Sequence, residues 1–412
     1  MLRVTFALVG IVLMAIPAAA QTFKSPLISS SQNHPSPPLA AGQISGKDIT
    51  PDCPIAWTVT MVSLHGGKQE GVQLIVIDNG KIKITVIPTR GLGVLSVTQG
   101  DVRLGWDSPV KEVVHPKHVN LQARAGLGWL EGFNEWMVRC GLENNGGPGT
   151  DKFINNLGDE GTLELTLHGK IANIPASEVE LRVEKKAPYR ITIKGRVDEK
   201  MLFGPKLELH TEISTEPGSS GFRIADVVTN AGSQPQEFQM LYHINFGSPL
   251  LEEGAKVLAP AERVTPFNAN AARDVKAYSS YRGPTPGFVE QVYLYRPLAD
   301  AAGKTTVLIH NKAADRAASM TYSLKELPYL TTWKCTGDVK DGYVTGIEPG
   351  TNYPNKRAVE RKHGRVPVLA GGASYPMTID YMIHVGEGEV RQVVDRIADI
   401  QKQKPIVVDG MP

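Results

Sequence analysis

Three side chains have the types and settings needed to move protons: His168, His243 and Glu348. His168 closes the run GTLELTLH, where Leu163, Leu165 and Leu167 alternate with Glu164, Thr166 and His168. That period of two predicts a strand, and the Gly, Asn and Pro that follow predict a loop. An imidazole at a strand end beside Gly169, which admits backbone or ligand, suits sugar chemistry; the competing reading is an ordinary surface or core histidine. His243 lies in MLYHINFG, where Tyr242, Ile244 and Phe246 take one face and Leu241, His243 and Asn245 the other. Such a polar face either meets solvent or lines a site, and the Gly-Ser-Pro turn that follows puts His243 near a strand end. Glu348 ends YVTGIE before Pro349-Gly350, a turn dipeptide. Alone it reads as surface. Beside two strand-borne histidines it completes an acid/base set, an imidazole to donate a proton and a carboxylate to accept one, its pKa open to being raised by apolar neighbours.

These groups need a β scaffold, and the chain supplies one. From about residue 57 to 384, short β-rich runs such as 72–77, 81–87, 162–167, 189–197, 236–246 and 378–384 are separated by Gly, Pro, Asn and Asp. That pattern predicts an all-β fold, a large antiparallel sandwich. Helical period appears clearly once, where Val390, Val393, Val394, Ile397 and Ile400 share a face with Glu at its start and Lys at its end. One domain over 55–404 with a tail at 405–412 is expected.

The 412 residues are 41% hydrophobic and 21% charged with a formal net charge of +2, an ordinary globular composition that gives no reason to expect nucleic acid or an anionic membrane as partner. Residues 1–20 read as a signal peptide: Arg3, an apolar run over 6–16, then Ala18-Ala19-Ala20. The run is short of the ~20 residues a membrane span needs, so export to the periplasm or medium is expected, with no membrane attachment after cleavage. Residues 21–54, rich in Ser, Pro and Gly, read as a flexible arm or, toward their C-terminal end, an extended strip along the domain. Of the three cysteines, Cys140 reads as buried, and Cys53 with Cys335 is the least encumbered pair. No spacing suggests a metal site and no P-loop suggests a phosphate cofactor, so none is expected. The dense basic run KRAVERKHGR (356–365) reads as a solvated loop or as a rim for an acidic or sulfated sugar. Trp129, Phe133 and Trp136 divide between core packing and a surface on which a pyranose stacks. Trp333 carries the same two readings.

Six motifs taken together resemble the aldose 1-epimerase (galactose mutarotase-like) superfamily, and within it the DUF4432 branch. They are IPTRGLGV around Arg90, LGW before Asp107, GLGWLEGFNEWMVRCGLENNGGPG, LHGKIANIPA, LYHINFG and GIEPGTNYPNKR. The resemblance implies a β-supersandwich with a sugar bound across a concave sheet and no cofactor. It implies His243 as the acid that protonates the ring oxygen, Glu348 as the base at the anomeric hydroxyl, and His168 as a hydroxyl-binding or assisting group. Asn245, Trp129 and Trp333 are further candidates to contact sugar. The family's LHGG reads LHGK here, and its early N-R signature has no clear counterpart, with Arg90 or Arg124 as stand-ins. Within the fold, a carbohydrate-binding protein and a sugar hydrolase or lyase are the rival functions.

Overall fold

A computed structural model describes residues 22–30 and 42–412. The proposed signal peptide and the central part of the Ser/Pro-rich arm lie outside them. Two β-sheets stack face to face. The smaller has nine strands, ordered Thr22–Ser29, Glu178–Glu184, Ile191–Lys200, Lys206–Thr215, Gly221–Asn230, Ser374–Val385, Arg316–Ser323, Lys304–His310 and Lys256–Leu258. The larger has thirteen, and its centre carries Gly93–Gln99, Met137–Leu142, Gln239–Phe246, Val344–Gly350 and Tyr329–Cys335 side by side. These central strands pair antiparallel, as the short runs and turn residues predicted.

The period of two decides what each sheet buries. From Gln239–Phe246, Met240, Tyr242, Ile244 and Phe246 enter the core between the sheets, meeting Ile193, Leu209, Ile224 and Ile379 of the smaller sheet. The strand's other face is also buried: Leu241 joins Trp106, Trp129, Phe133, Val138, Cys140, Ala172 and Val344 in a second cluster. The segment 106–136 covers that face, so His243 and Asn245 do not look into solvent. The helix Glu387–Gln401 buries Val390, Val393, Ile397 and Ile400 as its periodicity predicted, and packs on Leu308 and Ala317.

The flexible-arm reading is corrected at Thr22–Ser29, which pairs antiparallel with Glu178–Glu184 and closes an edge of the smaller sheet, with Leu27 buried. Edge pairing satisfies its backbone, which its poor apolar content did not foretell. The tail is corrected too: Val407–Val408 adds a parallel strand to Ala261–Pro266. All three cysteines are free, Cys53 and Cys335 included. The basic run is only in part a loop, and two of its arginines, Arg357 and Arg361, line a cavity. Arg357–Lys362 is a helix, and the arginines of the run face carboxylates: Arg357 and Arg361 hold Asp151, Arg361 also holds Glu237, and Arg365, beyond the helix, grips Glu360 through both oxygens.

Candidate active site

Strand register makes the site. The pairings Leu241↔Gly350 and Ile244↔Ile347 leave His243 opposite Glu348 on adjacent strands, where facing Cβ atoms sit ~5 Å apart. His243 Nε2 lies 3.2 Å from Glu348 Oε1, and both residues are almost wholly buried. One strand further on, Thr331 is opposite Glu348 and Trp333 opposite Gly346. Gly346 is a packing requirement. A Cβ there would stand 2.4 Å from Glu348 Oε1 and 3.0 Å from His243 Cε1. The bare backbone is what lets the carboxyl and the imidazole approach.

His243 is fixed from behind. Asn245 Oδ1 lies 2.7 Å from His243 Nδ1, and Asn245 Nδ2 donates to the Glu135 carbonyl at 2.9 Å. Trp106 Nε1 donates to the same carbonyl. The Glu135 carboxylate takes Arg90 Nε at 2.7 Å, while Arg90 Nη1 donates to the Val114 carbonyl and Asn173 Oδ1. Arg90 and Glu135 are both fully buried.

His168 comes from a turn, not a strand end. Its strand is Glu160–Leu165, and the ladder stops because the Leu167 N–H donates to the Gly126 carbonyl instead. His168 has φ +58° and Gly169 φ +70°, left-handed values that cost a non-glycine ~1–2 kcal/mol. Glycine at 169 is required, since a Cβ would fall 2.2 Å from the Asn144 carbonyl oxygen. The turn is latched in place by hydrogen bonds from Gly141 N–H to the His168 carbonyl and from His168 N–H to the Gly146 carbonyl. His168 Nδ1 lies 2.8 Å from the Asn145 carbonyl oxygen. Asn145 is clasped in turn by Asn352, each side-chain amide donating to the other. Sequence reasoning missed this support and that of Gly346. The Asn doublet in GLENNGG and the Asn of GTNYPN are its only sequence signals.

Aromatic rings wall the histidines. Ring centres of His168 and His243 are 5.3 Å apart. Trp129 lies 4.7 Å from His168, Phe133 5.2 Å and Trp333 5.4 Å from His243. Trp333 is half-buried, and its Nε1 donates to Glu290 on an exposed loop. These walls set the electrostatics. Burial pushes the Glu348 carboxyl well above the usual carboxylate range, with Glu290 adding to it. Burial, helped by His168, holds His243 well below the usual imidazole value. His168 is lowered to about 4 by burial, against the pull of the Asn145 carbonyl.

The structure therefore brings together His168, His243, Glu348, Trp129 and Trp333. It does not present the other candidates as expected. Asn245 is fully buried, with its amide bonded to His243 and the Glu135 carbonyl. Arg90 lies buried behind the site in its pair with Glu135. Arg124 is on an exposed left-handed turn and forms no ion pair among the described residues. Trp136 packs on Phe222 and Tyr381 in the main core. A cavity of about 830 Å³ lies beside the 166–170 turn, lined by Asn144, Thr166, Lys170, Phe153 and Leu202. His168, His243 and Glu348 are not among its lining residues. Among the described residues, no cluster of His, Cys, Asp and Glu has the arrangement of a metal site.

Comparison with known proteins agrees with this architecture. The family model described as DUF4432, a domain of unknown function, matches residues 69–383. A crystal structure from Klebsiella pneumoniae, provisionally named an aldose 1-epimerase, is 41% identical, covers 94% of this chain and 98% of its own, and superposes with a TM-score of 0.88. A galactose mutarotase-like protein from Clostridium acetobutylicum shares 17% identity over 79% of this chain and 99% of its own, at a TM-score of 0.54. The galactose 1-epimerase of Lactobacillus acidophilus shares 12% over 80% and 99%, at 0.50. These two show the fold alone. Among curated proteins none matches.

Proposed function

Since this chain belongs to the DUF4432 family, we propose that it interconverts the anomers of a free sugar by acid/base catalysis, without a cofactor. The observation that carries this is the cross-strand pair, His243 Nε2 at 3.2 Å from Glu348 Oε1, buried under aromatic walls beside a second imidazole. Opening a pyranose needs one proton delivered to the ring oxygen and one removed from the anomeric hydroxyl. Both oxygens sit on one carbon, so a donor and an acceptor within a few ångströms can serve both at once. After rotation about C1–C2, the same two transfers run backward and close the ring as the other anomer. Each positioned group contributes about 10²–10⁴-fold.

The rest of the site fits this work. Trp333, the half-buried wall, offers a flat face for the pyranose ring, and His168 Nε2 is available to a sugar hydroxyl. The naming of the Klebsiella relative as an aldose 1-epimerase supports the reading. We place the reaction outside the cytoplasm on the character of residues 1–20.

The test is NMR anomer exchange over a panel of neutral and acidic aldoses, with Glu348→Gln as control. Wild-type protein is expected to accelerate exchange for at least one sugar, and Glu348→Gln to cut that acceleration by about 10²–10⁴-fold while sugar binding persists. Tight binding without exchange would leave a carbohydrate-binding protein. A product of altered chain length, or one carrying a double bond, would mean a hydrolase or lyase.

A further inference from the structure

Two hairpin tips near the 166–170 turn carry large apolar side chains that neither main sheet buries. One hairpin joins Gly149–Ile154 to Glu160–Leu165 as a separate two-stranded sheet, with Phe153, Ile154 and Leu157 at its tip. The other is the turn between Ile191–Lys200 and Lys206–Thr215, which carries Met201, Leu202 and Phe203 in succession. Turns ordinarily take Gly, Pro, Asn, Asp and Ser. This one is nonetheless held in shape: the Met201 N–H donates to the Pro205 carbonyl, and Lys206 Nζ donates to the Leu202 and Gly204 carbonyls. The six apolar residues are exposed, from 38% for Phe153 to 79% for Leu157. All but Leu157 line the cavity of about 830 Å³.

Area, charge and shape together say what covers them. The six present about 600 Å² of surface, at the upper end of the ~300–600 Å² of the largest patch on an ordinary monomer and approaching the ~800 Å² that each partner buries in a stable interface. A two-stranded hairpin is also marginal in water unless something packs against it. Around the cleft Lys152 pairs with Glu160, Lys170 with Glu143, and Arg361 with Glu237. A rim of paired charges offers little attraction to nucleic acid or an anionic membrane, and it does not repel a copy of itself. The patch also sets a projecting tip beside a recess. A two-fold axis that seats the tip of one copy in the recess of another must seat the second tip in the first recess.

We propose that this patch is a self-complementary interface through which the protein forms a two-fold dimer, the Met201–Phe203 tip of each copy seated in the cleft of the other. Asn144, Thr166, Gly169 and Lys170 line the same cleft, so the incoming tip backs the turn that holds His168 at its left-handed φ. The interface goes beyond the sugar-isomerase reading and does not depend on it.

The experiment is sedimentation equilibrium of the mature protein, from Gln21 onward, between ~1 and ~100 µM, where interfaces of this size associate. The expected mass at the upper concentration is twice that of the chain. The double substitution Leu202→Asp with Phe203→Asp is expected to weaken the dimer at least ~30-fold, as loss of an interface centre does. Ile154→Asp, on the other hairpin, should weaken it as well, so misfolding of one variant leaves the other to decide. Val339→Asp, at an exposed valine outside the patch, should leave the mass unchanged. A wild-type monomer throughout the range would overturn the proposal, and so would a dimer that survives substitution at both hairpins or is broken by Val339→Asp instead. A monomer that sediments with phosphatidylglycerol vesicles would overturn it too, by making the patch a lipid-facing one. No sugar enters these measurements, so failure here and failure of anomer exchange are separate results.

Discussion

Gly346→Ala is the most economical perturbation of the site, because it leaves the chemistry of both proton-carrying side chains unaltered and changes only their placement. The added Cβ would stand 2.4 Å from Glu348 Oε1, where carbon and oxygen need more than ~3 Å for ordinary contact. The carboxyl must therefore retreat by close to ~1 Å, and a misplacement of that size costs about 10²-fold in rate. His243 Cε1, at 3.0 Å, has to yield as well, so the pair separates from both sides. Stability should fall by no more than the ~1–3 kcal/mol typical of overpacking. The expected result is anomer exchange down about 10²-fold in a protein with near-normal urea unfolding. Gly147→Ala is the control: it lies in the loop that supports His168, and nothing stands within 4 Å of a Cβ there. Its exchange rate should match wild type. If Gly346→Ala exchanges anomers at the wild-type rate, the His243–Glu348 contact is not where the chemistry occurs.

Three further outcomes are expected. His168 is held to about 4 in the fold against ~6.5 when unfolded, so between those values the unfolded chain takes up a proton that the folded one refuses. Stability is then complete above pH 6.5 and falls as the pH drops toward 4, by at most about 3 kcal/mol from this residue; urea unfolding of His168→Gln at pH 7 and pH 5 should show a smaller acid loss than wild type. Asp151→Asn should destabilise by about 3–5 kcal/mol in the same assay, since it strips the carboxylate from buried Arg357; a loss under ~1 kcal/mol would mean the pair is dispensable. Intact-mass measurement of protein exported by its native host should place the mature N-terminus near Gln21, and retention of Met1 would refute the signal-peptide reading.

Much of the scaffold was legible because alternation is a local property. The period of two in Gln239–Phe246 assigned Tyr242 and Ile244 to one face and His243 and Asn245 to the other, and the structure keeps both sets. The apolar stripe of Glu387–Gln401 was equally plain. The motifs around His168, His243 and Glu348 marked the residues that the fold gathers.

Alternation names a face without saying what will cover it or which residue will stand opposite. Register across Gln239–Phe246 and Val344–Gly350 set His243 against Glu348, and that depends on pairing between segments a hundred residues apart. Tertiary packing set Asn245 between His243 and the Glu135 carbonyl, placed Arg90 on Glu135 behind the site, and gave Arg357 and Arg361 carboxylate partners. It also made Thr22–Ser29 a strand, because an open sheet edge supplied the hydrogen bonds that its composition gave no reason to expect. Period and residue type therefore determined which side chains have chemistry to offer. Which of them meet was decided by long-range contacts, since a hydrogen bond depends on the partner brought to it.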